Sequence, residues 1–244
     1  MSTNPISLAQ LKPLQLKPYA SAFRDRTNFM SDRSQAAYAD QSRIEELIGA
    51  ARRGEKEQLG LLLQFYFNYL TVLASTQLDN RLRRRLNPSD LVQETLLAAH
   101  RDFGAFRGET PQELVGWLRQ ILINVLHGAI ARHVKAGKRD IRREVSIDQI
   151  GGGIDRSAAN LASLLPASVS SPSGNIHAQE RATDLADHLA MLRADYREVI
   201  VMRNLQGLTF EDIAARMERS CGAVRMLWLR AIDRFKETYS PSRR

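Results

Sequence analysis

The segment from Leu208 to Glu237 constrains the fold most, because its pattern is that of two short helices joined by a tight turn. Thr209 can cap the first helix, with Asp212 three residues later as its capping-box partner. Ser220 can cap a second, longer helix with a basic outer face. The inward faces consist of Phe210, Ile213, Ala214 and Met217 in the first helix, and of Cys221, Val224, Trp228, Ala231 and Phe235 in the second. The pattern predicts a helix-turn-helix.

A helix-turn-helix typically lays its second helix in the DNA major groove, with nearby cations on phosphates. A helical hairpin inside a bundle has the same pattern, so the pattern alone leaves both open. Glu218 stands where such a turn usually carries glycine, which predicts a strained or reshaped turn. Cys221 begins the second helix, where its thiol pKa could be lowered, but we favour a small buried residue without a redox role.

Charge and cysteine usage narrow the class of protein. The 244 residues carry a formal net charge of +8, which suits a polyanionic partner or an acidic surface. A single cysteine excludes an intramolecular disulfide framework. The sequence has neither an apolar run of membrane-spanning length nor a secretory leader pattern. We therefore expect a cytoplasmic protein that does not insert into membranes.

The periodicity divides the chain into four parts. Residues 1–41 contain three prolines and no sustained period, which predicts a disordered or loosely ordered extension. Helical periods run through 42–143 and again through 181–239. Residues 144–180 are rich in glycine, serine and proline and read as a flexible linker, with a short helix at Ala158–Leu164. The predicted fold is all-α: two small helical domains joined by a flexible linker, the C-terminal one a helix-turn-helix.

Two helix starts in the first domain are strongly marked. Asn87 can cap a helix with Pro88 at its first position. Thr110 and Glu113 form a capping box around Pro111, which predicts a helix running to about residue 133. The run Arg81, Arg83, Arg84 and Arg85 is either a solvated face or a contact for phosphate.

The C-terminal motif resembles a known family. Asp195–Ile200, Leu205–Met217 and Gly222–Ala231 resemble the fourth conserved region of extracytoplasmic-function sigma factors of the sigma-70 family. The resemblance implies that the second helix reads the upstream (minus-35) promoter element. The implied DNA contacts are Ser220, Cys221, Gly222, Ala223, Arg225, Met226 and Arg230.

The first domain contains a second match to the same family. Asp90–Thr95, Ala99–Phe103 and Phe106–Gly108 resemble the sigma-factor segment that grips the clamp helices of RNA polymerase. The implied polymerase contacts are Asp90, Leu91, Gln93 and Glu94. In the family, the following loop and helix open the downstream (minus-10) element and hold a flipped base. The implied contacts there are Phe106, Arg107, Gly108, Trp117, Asn124 and Arg132.

The length of the linker fits two separate DNA sites. About 35 residues reach on the order of 100 Å when extended. Promoter elements about 17 base pairs apart are separated by roughly 60 Å. The linker could therefore let the two domains occupy both elements at once.

The leading hypothesis is a sigma factor that binds core RNA polymerase (clamp helices and flap) and promoter DNA, needs no cofactor or metal and is not an enzyme. The family also suggests an anti-sigma protein as a partner to look for. The alternative is a dimeric helix-turn-helix regulator with an N-terminal helical sensor domain. A recombinase using Tyr239 as nucleophile is disfavoured, because the sequence shows no phosphate loop, paired metal carboxylates or nucleophile–base pair.

Overall fold

The computed structural model describes residues 32–78, 80–83, 85–136, 147–164 and 174–239, and every regular element in those ranges is helical. The helices are α1 (Asp32–Arg52), α2 (Lys56–Phe65), α3 (Phe67–Thr76), α4 (Asn80–Arg83), α5 (Pro88–Asp102), α6 (Pro111–Ala136), α7 (Ile147–Ala162), α8 (Gly174–Met191), α9 (Ala194–Ile200), α10 (Phe210–Met217) and α11 (Cys221–Tyr239). A 3-10 turn (Phe103–Ala105) follows α5, and a π-helical segment (Val201–Leu205) follows α9. The all-α prediction is confirmed.

Helices α1 to α6 form the N-terminal half around α6. The fully buried side chains at its centre include Leu62, Leu70, Leu73, Leu114, Leu118, Leu122 and Leu126. The apolar residues from 59 to 74 keep one helical period, which predicts a single helix, but the chain bends by 44° at Tyr66, between α2 and α3. The Tyr66 side chain is buried, and its ring lies edge-on to Phe65 with centroids 5.1 Å apart. The bend therefore lets the two helices pack on α5 and α6 in different directions.

Helices α8 to α11 form the C-terminal half, in which the scaffold underlies the helix-turn-helix. Its core includes Leu185, Leu189, Val199, Ile213, Val224, Ala231 and Phe235. Gly207, with φ of +73°, turns the chain between the π-helical segment and α10.

The N-terminal boundary differs from the prediction. The proposed extension covers residues 1–41, yet α1 begins at Asp32. Residues 1–31 lie outside the described residues. The helical period was recognised only from residue 41, because the first turns of α1 lack a clear apolar stripe.

The segment predicted as a flexible linker contains a helix of 16 residues, α7, and the first turns of α8. Ile150, Ile154 and Leu161 are buried on one side of α7, which packs against α3, α6 and α8. A Cβ on Gly153 would collide with the Gln77 side chain, so the glycine allows α7 to approach α3 closely. The short helix predicted at Ala158–Leu164 is thus the C-terminal part of a longer one, because tertiary packing outweighs the poor helix propensity of three glycines.

The two halves touch directly as well as through α7. Arg83 in α4 forms an ion pair with Glu198 in α9, with Nη1 and Oε1 2.6 Å apart. Asn68 donates to the Asp187 carboxylate at 2.8 Å, and Gln206 donates to the Thr76 carbonyl at 2.9 Å. We call this contact the junction; it consists of Asn68, Thr76, Arg83, Asp187, Glu198 and Gln206. A cavity of about 270 Å³ lies beside it, lined in part by Arg156 and Arg216.

By length and composition alone, Pro111–Arg132 in α6 could span a membrane, and so could α2 and α3 if taken as one bent span. Within the fold, however, 44% of the α6 window is buried. The apolar composition of α6 therefore corresponds to its place at the centre of the helical bundle.

Candidate nucleic-acid interface

The caps of the helix-turn-helix are those predicted. The Thr209 hydroxyl accepts a hydrogen bond from the Asp212 amide at 3.1 Å and donates to the Asp212 carboxylate at 2.8 Å. The Ser220 hydroxyl accepts from the Ala223 amide at 3.2 Å. Both hydroxyls satisfy amides that have no partner within the first turn of their helix. These local bonds fix the start of α10 and the start of α11.

Glu218 forms the turn in a left-handed conformation, with φ of 53° and ψ of 44°. Among the described residues it is the one non-glycine with positive φ. Such a conformation costs a residue with a Cβ roughly 1 kcal/mol relative to glycine. The Glu218 amide still donates to the Ala214 carbonyl, so the turn closes α10 in spite of the strain. Of the two outcomes predicted from the sequence, the strained turn is therefore the one observed, since Glu218 adopts the left-handed angles usually taken by glycine.

Most of the predicted minus-35 contacts lie together on the surface at the start of α11. Cys221 is half-buried, and the exposed members are Ser220, Gly222, Ala223, Arg225, Met226 and Arg230. Leu229 is 44% exposed on the same helix. The small residues of the first turn leave room for a partner to approach the helix closely, and the guanidinium groups of Arg225 and Arg230 supply positive charge.

Aromatic and amide groups hold α11 in place. The Trp228 indole donates to the Asn204 carboxamide at 3.0 Å, and its ring lies 5.8 Å from that of Phe210. The Arg203 guanidinium lies over the Phe210 ring, 4.6 Å from the ring centroid. The sequence analysis missed Asn204, although a tryptophan in a buried stripe requires an acceptor for its indole N–H.

The Cys221 thiol is not activated. The hydrogen bond with the Glu211 carboxylate, together with partial desolvation, raises the pKa of Cys221. A raised pKa lowers the thiolate fraction at neutral pH, so the lowered pKa considered from the sequence is wrong. The favoured interpretation of Cys221 as a small buried residue holds only in part, because the side chain is half-buried.

Three aromatic rings lie beneath the loop from Phe106 to Thr110. The Phe106 and Trp117 centroids are 5.1 Å apart, and Phe103 completes the cluster at 6.1 Å from Trp117. Phe106 is only 6% exposed, whereas Trp117 is half-buried at the edge. Phe106 therefore supports the loop from below, and Trp117 is the ring that an incoming group can reach.

Gly108 packs directly on this cluster. A Cβ at Gly108 would lie 2.6 Å from the Phe106 ring and 2.7 Å from the Glu113 Cβ. A side chain at this position would displace the loop, so only glycine fits without rearrangement. The arrangement gives a physical reason for the Phe-Arg-Gly sequence at this point.

The predicted capping box at the start of α6 is confirmed. The Glu113 amide donates to the Thr110 hydroxyl at 3.3 Å, and the Thr110 amide donates to the Glu113 carboxylate at 3.0 Å. The same carboxylate accepts from the Glu109 amide at 2.8 Å. These backbone amides hold the pKa of Glu113 below its ordinary value. The loop is therefore tied to α6 by an ionised carboxylate.

The polar members of the predicted minus-10 set lie on the surface. Arg107 is exposed, and its guanidinium donates to the Gly104 carbonyl at 2.7 Å. Asn124 is exposed two turns beyond Trp117 along α6, where Gln120 donates weakly to it at 3.4 Å. Arg132 is exposed further along the same helix.

The predicted polymerase face of α5 is only partly a surface. Asp90, Gln93 and Glu94 are exposed, but Leu91 is 4% exposed and packs in the core. Leu91 therefore anchors α5, and a partner cannot touch it without moving the helix. Leu97, one turn after Gln93, is 64% exposed and was missed. An apolar residue at that spacing from a polar face is the signal that could have identified it.

Metal ligands form no cluster in the described ranges: no group of three or more histidine, cysteine, aspartate or glutamate side chains is placed to hold an ion. Cys221 begins α11, and its thiol bonds to the Glu211 carboxylate.

Comparison with known proteins matches both halves of the chain. Residues 183–234 match the family "Sigma-70, region 4", a range that begins in α8 and includes α10 and most of α11. An ECF RNA polymerase sigma-E factor of Haemophilus influenzae is 26% identical over 203 residues, covering 83% of this chain and 98% of the relative. The ECF RNA polymerase sigma-E factors of Salmonella typhimurium and Escherichia coli K12 are each 26% identical over 195 residues, covering 80% of this chain and 93% of the relative.

These matches support the sigma-factor hypothesis over the dimeric regulator, because the named relatives cover 80–83% of this chain, far more than the helix-turn-helix alone. Sigma factors are initiation factors that act with core RNA polymerase and promoter DNA and are not themselves enzymes. The all-helical fold, the region 4 match and the near full-length similarity to named relatives together identify the chain as a sigma factor of the extracytoplasmic-function group of the sigma-70 family.

Proposed function

We propose that this sigma factor binds core polymerase through α5, recognises the minus-35 element through α11, and captures the melted minus-10 element through the Phe106–Thr110 loop and α6. The observation that carries the proposal is the exposed basic start of α11, held rigidly within the region 4 match.

The start of α11 suits the major groove. Its first turn presents small residues, and Arg225 projects from the same end of the helix, 5.4 Å from the Phe210 ring centroid. An arginine there can form bidentate bonds with a guanine edge, and Met226 can contact thymine methyl groups. Arg230, two turns from the helix start, is placed to follow phosphate.

The Phe106–Thr110 loop and α6 suit single-stranded DNA. Trp117 supplies an accessible ring edge for a base, and Asn124 supplies an amide with both a donor and an acceptor. Arg107 and Arg132 add positive charge on either side for the backbone. Unstacked bases are recognised by this combination of aromatic, amide and cationic groups.

The exposed surface of α5 suits a protein partner whose own surface is mainly polar and includes one apolar contact. Asp90, Gln93 and Glu94 present two carboxylates and an amide, and Leu97 adds an exposed apolar side chain beside them. A mixed surface of this kind is typical of a reversible interface. We assign it to core polymerase; an inhibitory anti-sigma protein would be a competitor for the same surfaces.

The packed arrangement of the two halves must open for both promoter elements to be held. A compact chain of this size is roughly 40 Å across, whereas elements about 17 base pairs apart are separated by roughly 60 Å. The junction contributes polar contacts to this packing, chiefly Arg83 with Glu198 and Asn68 with Asp187, beside the apolar contacts that α7 makes with α3, α6 and α8. We propose that polymerase binding separates the halves at this junction.

The test is transcription in vitro with core polymerase and the purified full-length protein, with start sites mapped. Initiation at discrete sites that share two upstream elements supports the proposal. The regulator hypothesis instead predicts a dimer that binds duplex DNA tightly without polymerase and gives no initiation. Mapped start sites also supply the promoter needed for the experiments below.

A further inference from the structure

The guanidinium of Arg52 contacts three consecutive residues of the loop that we assign to the minus-10 base. Its Nη2 donates to the Arg107 carbonyl at 2.9 Å and to the Gly108 carbonyl at 2.5 Å. Its Nη1 lies 3.7 Å from a carboxylate oxygen of Glu109. Arg52 belongs to α1, more than fifty positions away in sequence, so this contact joins separate elements.

Arg52 is itself held in place by the core. It lies in the last turn of α1, directly after the buried Ala51 and one turn after the buried Ile48. Gly54, with φ of +90°, ends the helix immediately afterwards, and its amide donates to the Ala51 carbonyl at 3.0 Å. The backbone of Arg52 is therefore fixed at the end of α1, and the guanidinium reaches the loop from this fixed position.

The loop backbone is clamped from two sides by opposite charges. The carbonyls of Arg107 and Gly108 accept from Arg52, and the amides of Glu109 and Thr110 donate to the Glu113 carboxylate. Four successive residues thus have a backbone group bound to a charged side chain, and charge-assisted bonds are the stronger kind. Together with the close fit of Gly108 on Phe106, this clamp fixes the loop before any ligand arrives.

We propose that Arg52 is a positioning residue that holds the Phe106–Thr110 loop in the shape needed to receive an unpaired minus-10 base. The inference rests on the proposed function of this loop. A loop that already has the bound shape does not have to be ordered when the base is captured. The free-energy cost of ordering the loop therefore does not reduce the free energy gained by binding the base. Loss of the clamp slows promoter opening without changing the attachment of the protein to polymerase.

The first test compares Arg52→Gln with Arg53→Gln. Both changes remove one positive charge from the end of α1, but Arg53 pairs locally with Glu55 at 3.0 Å and does not contact the loop. Each variant is assembled with core polymerase on the mapped promoter, with 2-aminopurine placed in turn at each minus-10 position. We expect Arg52→Gln to slow the fluorescence rise at the captured base about ten- to a hundredfold. Arg53→Gln should behave as wild type, and core affinity should be unchanged in both.

A second variant separates loop positioning from simple attraction of phosphate. Arg52→Lys keeps the charge, but an ammonium cannot reproduce the planar fork that contacts two carbonyls and a carboxylate. We expect Arg52→Lys to rescue base capture only in part, whereas a phosphate contact would be restored almost fully. Gly108→Ala, which displaces the loop while the Arg52 side chain itself is retained, should reproduce the opening defect.

The outcomes distinguish this inference from the proposal beneath it. If wild-type holoenzyme neither initiates nor unstacks any minus-10 base, the proposed function of the loop is wrong. If wild type captures the base and Arg52→Gln does so equally fast, or if Arg52→Lys is fully active, the positioning role of Arg52 is wrong. Thermal melting of each variant verifies that it is folded at the assay temperature.

Discussion

The Arg83–Glu198 ion pair is the contact by which the packed state of the two halves can be tested. Arg83 Nη1 lies 2.6 Å from Glu198 Oε1, and the two side chains are 22% and 43% exposed. Burial lowers the pKa of Arg83 and the Glu198 carboxylate opposes that effect, so the pair is partly desolvated. Glu198→Gln removes the charge while keeping the shape of the side chain.

The magnitude follows from the geometry. A hydrogen bond to a charged group contributes about 1.5–3 kcal/mol. Because Glu198 is more than a third exposed, solvent screening reduces the expected contribution to about 1–2 kcal/mol. Arg83 keeps its bonds to the Ser75 and Leu78 carbonyls at 3.0 and 3.1 Å, so the substitution does not leave a wholly unpartnered guanidinium. The ratio of open to packed molecules should rise about five- to thirtyfold.

Single-molecule energy transfer measures this ratio. Dyes at the exposed positions Glu57 in α2 and Asp233 in α11 report the separation of the halves, in a Cys221→Ser background. Glu198→Gln should increase the low-transfer population, and the difference should shrink at about 1 M salt, where the screening length falls to about 3 Å. If packing competes with polymerase, the same variant should also bind core more tightly, in proportion to the open fraction.

The matched control is Glu237→Gln. Glu237 pairs with Arg234 at 2.8 Å within α11, so this substitution removes the same charge from an ion pair that does not cross the junction. It should leave the energy-transfer distribution unchanged. Identical distributions for wild type and Glu198→Gln, or equal opening by both variants, would refute the reasoning.

Further predictions concern the proposed contacts and the capping box. Arg225→Ala should weaken promoter use by about 1–3 kcal/mol while sparing core binding in pull-down assays; equal transcription from the mapped promoter would contradict the assignment. Asp90→Ala combined with Glu94→Ala should do the reverse, weakening core binding in pull-down assays; undiminished core binding would remove α5 from the polymerase interface. Because the folded pKa of Glu113 is depressed, its stabilisation is present above the unfolded pKa of about 4.3 and is lost as the pH falls through the folded pKa. Wild type should therefore melt above Glu113→Gln at pH 7, and the gap between their melting temperatures should narrow as the pH is lowered toward 3; a gap that stays constant with pH would contradict this.

Helix starts were predictable because their determinants are local. The Asn87 side chain accepts from the Ser89 amide at 3.0 Å, and the Thr209 and Ser220 caps likewise bridge two or three residues. A cap requires only the right side chain at the right spacing, and both are visible in the sequence. The position of the helix-turn-helix could therefore be predicted within one residue.

Long-range contacts were not predictable in the same way. Arg83 belongs to a run that sequence reasoning assigned to solvent or phosphate, yet it pairs with a carboxylate 115 positions away. The same holds for Arg52 and the minus-10 loop. An arginine is compatible with many partners, and the choice among them is decided by the packing of helices far apart in sequence.

The helix α7 shows a competition between local and tertiary signals. Gly151-Gly152-Gly153 favours a linker, since each glycine costs a helix about 1 kcal/mol relative to alanine. The buried Ile150, Ile154 and Leu161 nevertheless recur at helical spacing, and this was the signal that could have predicted the helix. Burying those side chains contributes about 1.5–3 kcal/mol each, enough to offset the glycines.

The proposed polymerase and minus-10 surfaces adjoin one another, which bears on how strongly they are coupled. Arg132, on the DNA side, forms an ion pair with Glu94, on the polymerase side, at 3.7 Å. A partner at either residue must compete with this pair. Both side chains are more than half exposed, so the pair contributes no more than about 1 kcal/mol. Direct electrostatic coupling through this pair is therefore limited to about fivefold. If the proposed separation of the two halves couples polymerase binding to DNA binding more strongly, Arg132→Gln should leave most of that coupling intact.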